Sequence, residues 1–131
     1  MVPSMSPHRS QSAVYQKALE IFSLSRSISH YLVDDMNQLN REGKEDPKIY
    51  FSGDIVQQSV SLAPEILKAE SQIYTHDKRR YAASVNRLTN MLYRNCERLE
   101  YVDSNGKDFL PILRTELKKF RLLVRNWMLT L

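Results

Sequence analysis

The fold is decided by the last stretch of the chain, DFLPILRTELKKFRLLVRNWMLTL (residues 108–131). Its large apolar side chains recur at alternating spacings of three and four, which places them on one face of an α-helix. They are Leu110, Leu113, Leu117, Phe120, Val124, Trp127 and Leu131. One position further round, basic residues repeat at the same spacing: Arg114, Lys118, Arg121 and Arg125. The stretch therefore predicts a helix that carries a core stripe beside a cationic stripe.

Two amphipathic helices are predicted in the first half of the chain. The first begins near Ser10 or Ser12, since either hydroxyl can cap free amides, and it ends near Asn40. A polar surface loop, 41–48, follows. The second helix is capped by Ser52 and runs to Ile73, with Pro64 producing a kink in its middle.

The third predicted helix runs from about Asp77 to Tyr101, after a tight connection at 75–77. Asn105-Gly106 is a strong turn signal before the last helix, which Asp108 is expected to cap. Four amphipathic helices with short connections predict an all-α fold, an antiparallel up-down-up-down four-helix bundle.

The predicted bundle domain covers residues 14–131, and the Ser- and Pro-rich residues 1–13 are expected to form a flexible tail. Charged residues interrupt every apolar run well short of the roughly 18–20 residues that cross a bilayer, so no membrane partner is expected. The single cysteine, Cys96, excludes an intrachain disulfide. Together these features predict a cytoplasmic protein.

Positive charge is concentrated in the second half of the chain. Residues 1–75 contain 7 Lys/Arg and 9 Asp/Glu, a net charge of −2, whereas residues 76–131 contain 12 and 6, a net charge of +6. The third helix adds a cationic line of its own, Arg80, Arg87, Arg94 and Arg98. These residues and Arg114, Lys118, Arg121 and Arg125 are the predicted nucleic-acid-binding residues, since such lines neutralise backbone phosphates. The alternative is an ordinary solvent-exposed charged surface.

No catalytic, metal or cofactor site is predicted. His8, His30 and His76 have no Cys or carboxylate at metal-ligand spacing, and no Glu-x-x-His pair or Gly-rich phosphate loop occurs. Cys96 falls on the apolar line of the third helix, which is typical of a packed core thiol. Arg26 and His30 miss the spacing used by helical-bundle ribonucleases. The protein is therefore not expected to be an enzyme.

The tyrosines allow two interpretations. Tyr74, Tyr81, Tyr93 and Tyr101 either stack on unpaired bases or lie half-buried at the edge of the core with their hydroxyl groups in water. The second arrangement is the more common one in a small bundle.

Several local sequences resemble a family of small four-helix-bundle proteins. It includes proteins encoded in intervening sequences of bacterial large-subunit ribosomal RNA genes and the accessory variability determinants of diversity-generating retroelements. The resemblance covers about residues 14–131 and rests on Tyr15-Gln16-Lys17-Ala18, Val60-Ser61-Leu62 followed by Pro64, Ala69-Glu70 and Arg80-Tyr81. Glu65 and Ser71 stand where the ribosomal branch has Asn and Gly, and the basic last helices are more similar to the retroelement branch.

The resemblance to the accessory proteins implies a homo-oligomer, a cyclic pentamer, with a basic surface that associates with RNA or DNA. It also implies a reverse transcriptase as partner and no catalytic activity. The leading hypothesis is a non-catalytic, basic, oligomeric nucleic-acid-binding accessory protein. The alternative is a structural or protein-interaction bundle of the ribosomal intervening-sequence type, in which Glu20, Asp34 and Asp35 pair with the cationic lines across subunits.

Overall fold

The computed structural model describes residues 12–39, 48–101 and 108–131, with side chains for 12–32, 54–101 and 108–131. Over these residues the chain forms four α-helices and no strand. They are α1 (Ala13–Leu39), α2 (Lys48–Ser71), α3 (Thr75–Leu99) and α4 (Leu110–Leu129). The predicted all-α four-helix bundle is confirmed. Most of the predicted tail, Ser10, the loop 41–47 and the turn at 105–106 lie outside the described residues.

Each helix packs against two neighbours, in the cyclic order α1, α2, α3, α4. Between α2 and α3, Lys78 Nζ donates to the Glu70 carbonyl oxygen at 3.3 Å and Asn95 Nδ2 donates to Gln58 Oε1 at 2.9 Å. A later residue of α3 thus meets an earlier residue of α2, so these two helices are antiparallel. The connection consists of residues 72–74 and not of the predicted 75–77, because α3 already begins at Thr75, and it is too short for any other arrangement.

The contacts of α4 follow the same reversed order. Along α3, Arg114 meets Glu100 and Arg121 meets Asn90. On the side of α1, the Phe109 ring just before α4 stacks on Tyr31, with ring centroids 5.5 Å apart. Helix α4 therefore runs antiparallel to α3, and its basic stripe lies next to α3 rather than next to α1.

The helix starts agree with the predictions in one case and differ in two. Ser12 caps α1, since its Oγ accepts the Tyr15 backbone N–H at 3.3 Å, as predicted. Ser52 is not a cap, because α2 already begins at Lys48 and includes it. Asp108 is not the cap of α4, because Phe109 occupies the N-cap position without a side-chain hydrogen bond. Pro111 lies in the first turn of α4, where its missing N–H costs little.

Helix α2 continues through Pro64 and ends before Ile73. Pro64 is exposed, and the buried Leu62 and Ile66 on either side of it keep the helix against the core. Proline removes the bond to the carbonyl of Val60, which lies on an exposed side where water can replace it. Ile73, predicted to extend the buried line, is 88% exposed because the helix ends at Ser71.

The core consists of one line of residues from each helix. Every predicted core position of α4 up to Trp127 is buried. The same periodicity predicts a buried line in each of the other helices. The lines are Val14, Ala18, Ile21, Ser25, Ile28 and Leu32 in α1, Ile55, Ser59, Leu62, Ile66, Ala69 and Ile73 in α2, and Tyr81, Val85, Leu88, Leu92, Cys96 and Leu99 in α3. All of these residues are buried apart from Ile73, which is exposed, and Tyr81 and Leu88, which are half-buried at the edge of the core. The apolar periodicity thus identified the core correctly before any tertiary information.

Trp127 forms a hydrogen bond from the end of α4 to α2. Its indole Nε1 donates to Glu70 Oε2 at 3.2 Å, and the ring is 9% exposed. Lys78 donates to the carbonyl of the same Glu70. The end of the bundle where α2 and α4 finish is therefore held by hydrogen bonds as well as by apolar contacts.

Leu117 and Leu122 lie in the same helix and differ in burial, being 0% and 59% exposed. We expect Leu117→Ala to lower the free energy of unfolding by about 2–5 kcal/mol, because it removes buried methyl groups and leaves a cavity. Leu122→Ala should change it by less than about 0.5 kcal/mol. Urea denaturation followed by circular dichroism measures both, and equal losses would contradict this helix orientation.

An ion-pair cluster joins α1 to α4. Lys17 Nζ pairs with Glu116, and Lys119 and Glu20 extend the cluster at 3.3 and 3.1 Å. The hydrogen bond from Lys17 lowers the pKa of Glu116 below its ordinary value of 4.5, and burial only partly opposes this. The same bond raises the pKa of Lys17 above 10.5.

Glu116 gives the bundle an acid-sensitive contribution to its stability. A carboxyl group whose pKa is lowered by folding stabilises the native state above its unfolded pKa, and this stability is lost as pH falls through the folded pKa. We expect wild-type stability to decline between about pH 5 and pH 3 more than that of Glu116→Gln, which has no proton to take up. Urea midpoints across this range measure the difference. Glu97→Gln, at an exposed position where no ion pair forms with another described residue, should follow the wild type, and parallel curves for Glu116→Gln and wild type would contradict the assignment.

Candidate nucleic-acid interface

The basic line of α3 points away from the core. Arg80, Arg87, Arg94 and Arg98 are all exposed. The buried residues of α3, among them Val85, Leu92 and Leu99, occupy the opposite side of the helix. The helical periodicity that predicted this line is thus reproduced, and the guanidinium groups are accessible along the length of α3.

The basic line of α4 lies along its boundary with α3. Lys118, Arg121 and Arg125 are exposed, whereas Arg114 is half-buried. Successive residues of a helix are about 100° apart, so a line displaced by one position from the core stripe must lie at its flank. The contacts of Arg114 and Arg121 show that this flank adjoins α3.

Arg121 is the link between the two lines. Its Nε and Nη2 donate to Asn90 Oδ1 at 3.3 and 3.0 Å, and its guanidinium carbon lies 4.5 Å from the centroid of the Tyr93 ring. Asn90 is three residues after Arg87 and four before Arg94, so both arginines are its neighbours on the helix surface. The two basic lines therefore adjoin each other at the middle of the α3–α4 pair.

We refer to Arg87, Arg94, Lys118, Arg121 and Arg125 as the central basic cluster. Lys118 and Arg125 flank Arg121 one turn away on each side, as Arg87 and Arg94 flank Asn90. Within the described residues, no carboxylate forms an ion pair with any of the five. None of the five is therefore directly neutralised by a carboxylate in the part of the chain that the structure describes.

The three remaining predicted residues lie in different surroundings. Arg114 Nη1 forms an ion pair with Glu100 Oε2 at 3.2 Å, so its charge is largely neutralised. Arg98 Nη1 donates to Asn95 Oδ1 at 3.3 Å, and Arg80 packs over the Tyr81 ring at 5.2 Å. Arg114 and Arg98 lie toward the end of the bundle where α3 finishes, and Arg80 lies toward the opposite end.

A groove of about 590 Å³ lies beside the central basic cluster, between α3 and the end of α4. It is lined by Asn86, Asn90, Arg121, Arg125, Met128 and Leu129. Two amides, two guanidinium groups and two apolar side chains therefore share one open depression. The combination offers hydrogen-bond donors and acceptors, positive charge and an apolar wall.

The tyrosines divide between the two interpretations. Tyr81 and Tyr93 are half-buried, and each ring carries an arginine over it, at 5.2 and 4.5 Å. Tyr74 and Tyr101 are 71% and 84% exposed, at opposite ends of α3. Base stacking on Tyr93 is therefore opposed by Arg121, which already lies against that ring.

Sequence reasoning missed the residues that organise this surface, namely Asn90, Tyr93 as a support for Arg121, and Glu100 as the partner of Arg114. Asn86, Asn90, Tyr93 and Glu97 recur at spacings of four, three and four, a polar line on the side of α3 toward α4. That line was a usable signal of an interhelical boundary. Which α4 residue meets which member of it depends on the register between the helices.

Cys96 is buried in the core, with burial and then the nearby Glu100 carboxylate raising its pKa to about 12. His30 lies exposed on α1, with its ring edge-on to Tyr31 at 6.2 Å. Among the described residues, no group of three or more His, Cys, Asp or Glu side chains is placed to hold a metal ion.

Comparisons with protein-family models, with curated proteins and with solved structures returned no match for this chain. Within the residues that the structure describes, none of the helices combines the length and apolarity needed to cross a membrane.

Cys96 should be inert in the native protein. A thiol that is buried and has a pKa of about 12 is protonated and inaccessible near pH 8, so a thiol reagent requires an opening of the bundle. We expect dithiobisnitrobenzoate to react at least about 100-fold more slowly with the native protein than with the urea-unfolded one. Ala83→Cys in a Cys96→Ala background, an exposed site on the same helix, provides the accessible control. Equal rates for the two native thiols would contradict the placement of Cys96.

Proposed function

We propose that this chain is a non-catalytic, basic nucleic-acid-binding accessory protein whose α3 and α4 contact the phosphate backbone. The observation that carries the proposal is the central basic cluster, five cations from two adjacent antiparallel helices without carboxylate partners among the described residues. Ordinary surface charge on a small bundle alternates in sign and pairs locally, as Lys17, Glu20, Glu116 and Lys119 do on the other flank of α4.

The spacing of these cations is suited to a polyanion. Arg87 and Arg94 are seven residues apart, which is about 10 Å along a helix axis and close to the screening length at physiological salt. Their potentials therefore overlap with each other and with those of Lys118, Arg121 and Arg125. Such a surface attracts phosphate groups in succession and releases their counterions, which gives affinity without sequence information.

The partners proposed for this surface come from the resemblance to retroelement accessory proteins. We propose RNA or DNA as the ligand, a reverse transcriptase as a protein partner, and a homo-oligomer, a pentamer by resemblance, as the assembled form. A ring of subunits would multiply the basic surface and raise its avidity for a long nucleic acid. The cytoplasm is the proposed compartment.

A second candidate function is a protein-interaction bundle, and one observation favours it. Leu122 and Leu129, on α4 next to Lys118 and Arg125, are 59% and 82% exposed. Apolar side chains among cations are also found at protein interfaces, where arginine is enriched. Charge reversal at Arg121 separates the candidates. Loss of assembly mass by light scattering supports the interface, whereas intact mass with loss of nucleic-acid binding supports the first proposal.

The double change Arg87→Glu with Arg94→Glu tests the proposed function. We expect wild type to bind single-stranded RNA and an RNA–DNA hybrid at low salt, with affinity falling steeply as salt rises. The variant should bind at least about tenfold more weakly, and the slope of log K against log salt should be shallower by about one unit for each arginine lost. Filter binding across a salt series measures both quantities.

Arg26→Glu supplies the control for each single charge reversal, since Arg26 is exposed on α1, where its guanidinium lies over the Phe22 ring of the same helix. The Arg26→Glu variant carries the same type of substitution, and it should change the affinity for RNA and the slope of log K against log salt far less. Absence of wild-type binding at low salt, or an equal effect of Arg26→Glu, would overturn the proposal. Circular dichroism and light scattering of each variant separate a binding defect from a loss of fold or assembly.

A further inference from the structure

The groove between α3 and the end of α4 contains an arginine that is held in place without being neutralised. Arg121 donates twice to Asn90 Oδ1 and lies flat enough against Tyr93 for its guanidinium carbon to be 4.5 Å from the ring centroid. Both partners are uncharged, so the guanidinium keeps its full charge and its remaining N–H donors. A fixed, unpaired guanidinium loses little side-chain entropy when it binds an anion.

The other members of the groove differ from a plain phosphate-binding surface. Asn86 is exposed, and none of the described side chains bonds to its amide. Its carbonyl oxygen and NH₂ group thus present an acceptor beside a donor. Met128 is half-buried and Leu129 is 82% exposed, so apolar surface borders the same depression. A phosphate group has neither a donor–acceptor edge that an amide can pair with nor an apolar face. A nucleobase has both.

We propose that this groove is a binding site for an unpaired nucleotide. This inference rests on the proposed nucleic-acid-binding function and assigns its ligand class. Arg121 and Arg125 bind the backbone phosphates, the base packs against Met128 and Leu129, and the Asn86 amide pairs with the edge of the base. The edge of an unpaired base presents a hydrogen-bond donor beside an acceptor, which an asparagine amide can match in a bidentate pair.

The position of Asn86 favours a single strand over a duplex. It lines a depression between two helices together with Arg121 and Arg125. The bases of an RNA duplex are stacked and paired, and side chains cannot enter its narrow major groove. An unpaired base can turn out of its strand and enter the depression at a small unstacking cost.

The test compares three ligands, single-stranded RNAs of about 12 adenosines or 12 uridines and a duplex of mixed sequence of the same length. Fluorescence anisotropy of labelled RNA measures the dissociation constants of the full-length protein. We expect wild type to bind both single strands about tenfold more tightly than the duplex. Asn86→Ala should weaken binding of both single strands and remove most of this difference, whereas duplex binding, which does not use the Asn86 amide, should change by less than about twofold. Asn126→Ala, the same change at an exposed α4 position outside the groove, should behave as wild type.

A second pair of variants tests the orientation of Arg121. Asn90→Asp replaces the neutral acceptor with a carboxylate of the same shape. This carboxylate pairs with Arg121, so the charge of Arg121 is no longer available to attract the ligand. We expect this change to weaken binding of the adenosine strand at least about tenfold, whereas Asn126→Asp, with an identical change in net charge, should weaken it far less.

The outcomes separate this inference from the function on which it rests. Salt-sensitive binding of all three RNAs with equal affinity would leave the proposed function standing and overturn the nucleotide site. A preference for single strands over the duplex that survives Asn86→Ala would also overturn it, as would competition by polyglutamate as strong as that by unlabelled adenosine strand. Failure of wild type to bind any RNA at low salt would reject both.

Discussion

The angle between the two stripes of α4 is the constraint on which the rest of the surface depends. Burying Leu113, Leu117 and Phe120 fixes the rotation of the helix about its axis, because these side chains are fully enclosed. Once that rotation is fixed, a line displaced by one residue has to lie at the flank of the helix. The flank adjoins α3, so apolar burial places the basic line of α4 beside α3, where the register of the two helices brings Arg121 to Asn90. The arrangement of charge is a consequence of apolar burial.

This dependence explains how much of the molecule the sequence could predict. Apolar periodicity identified the buried line of α4 and most of those of the other helices, because a helix shows its buried face in its own sequence. Helix ends were less well predicted. Ser52 and Asp108 have good capping side chains, but the start of a helix is also decided by what its first turn packs against, and α2 and α4 begin elsewhere. Ile73 has the right spacing for the core and lies beyond the last residue of its helix.

The candidate interface shows a similar division. All eight predicted cations could be found from spacing, and the structure distinguishes among them by their partners. Arg114 pairs with Glu100, whereas Arg121 is held by a neutral amide and an aromatic ring. Neither partner follows from the sequence of α4, because both lie on α3 and their register with α4 is a tertiary property. The proposed ligand and partners come from the family resemblance. The contacts of the cations show which charges are neutralised and which remain available.

The bond between Trp127 and Glu70 has a spectroscopic consequence. Trp127 is the single tryptophan of the chain, so the emission of the whole protein excited near 295 nm comes from one known place. Its indole is almost enclosed and its N–H is engaged by a carboxylate of another helix, which favours blue-shifted emission with restricted motion. Met128 and Leu129, the next residues in the chain, line the groove described above. The protein thus contains an intrinsic optical reporter directly beside the surface that it is proposed to use.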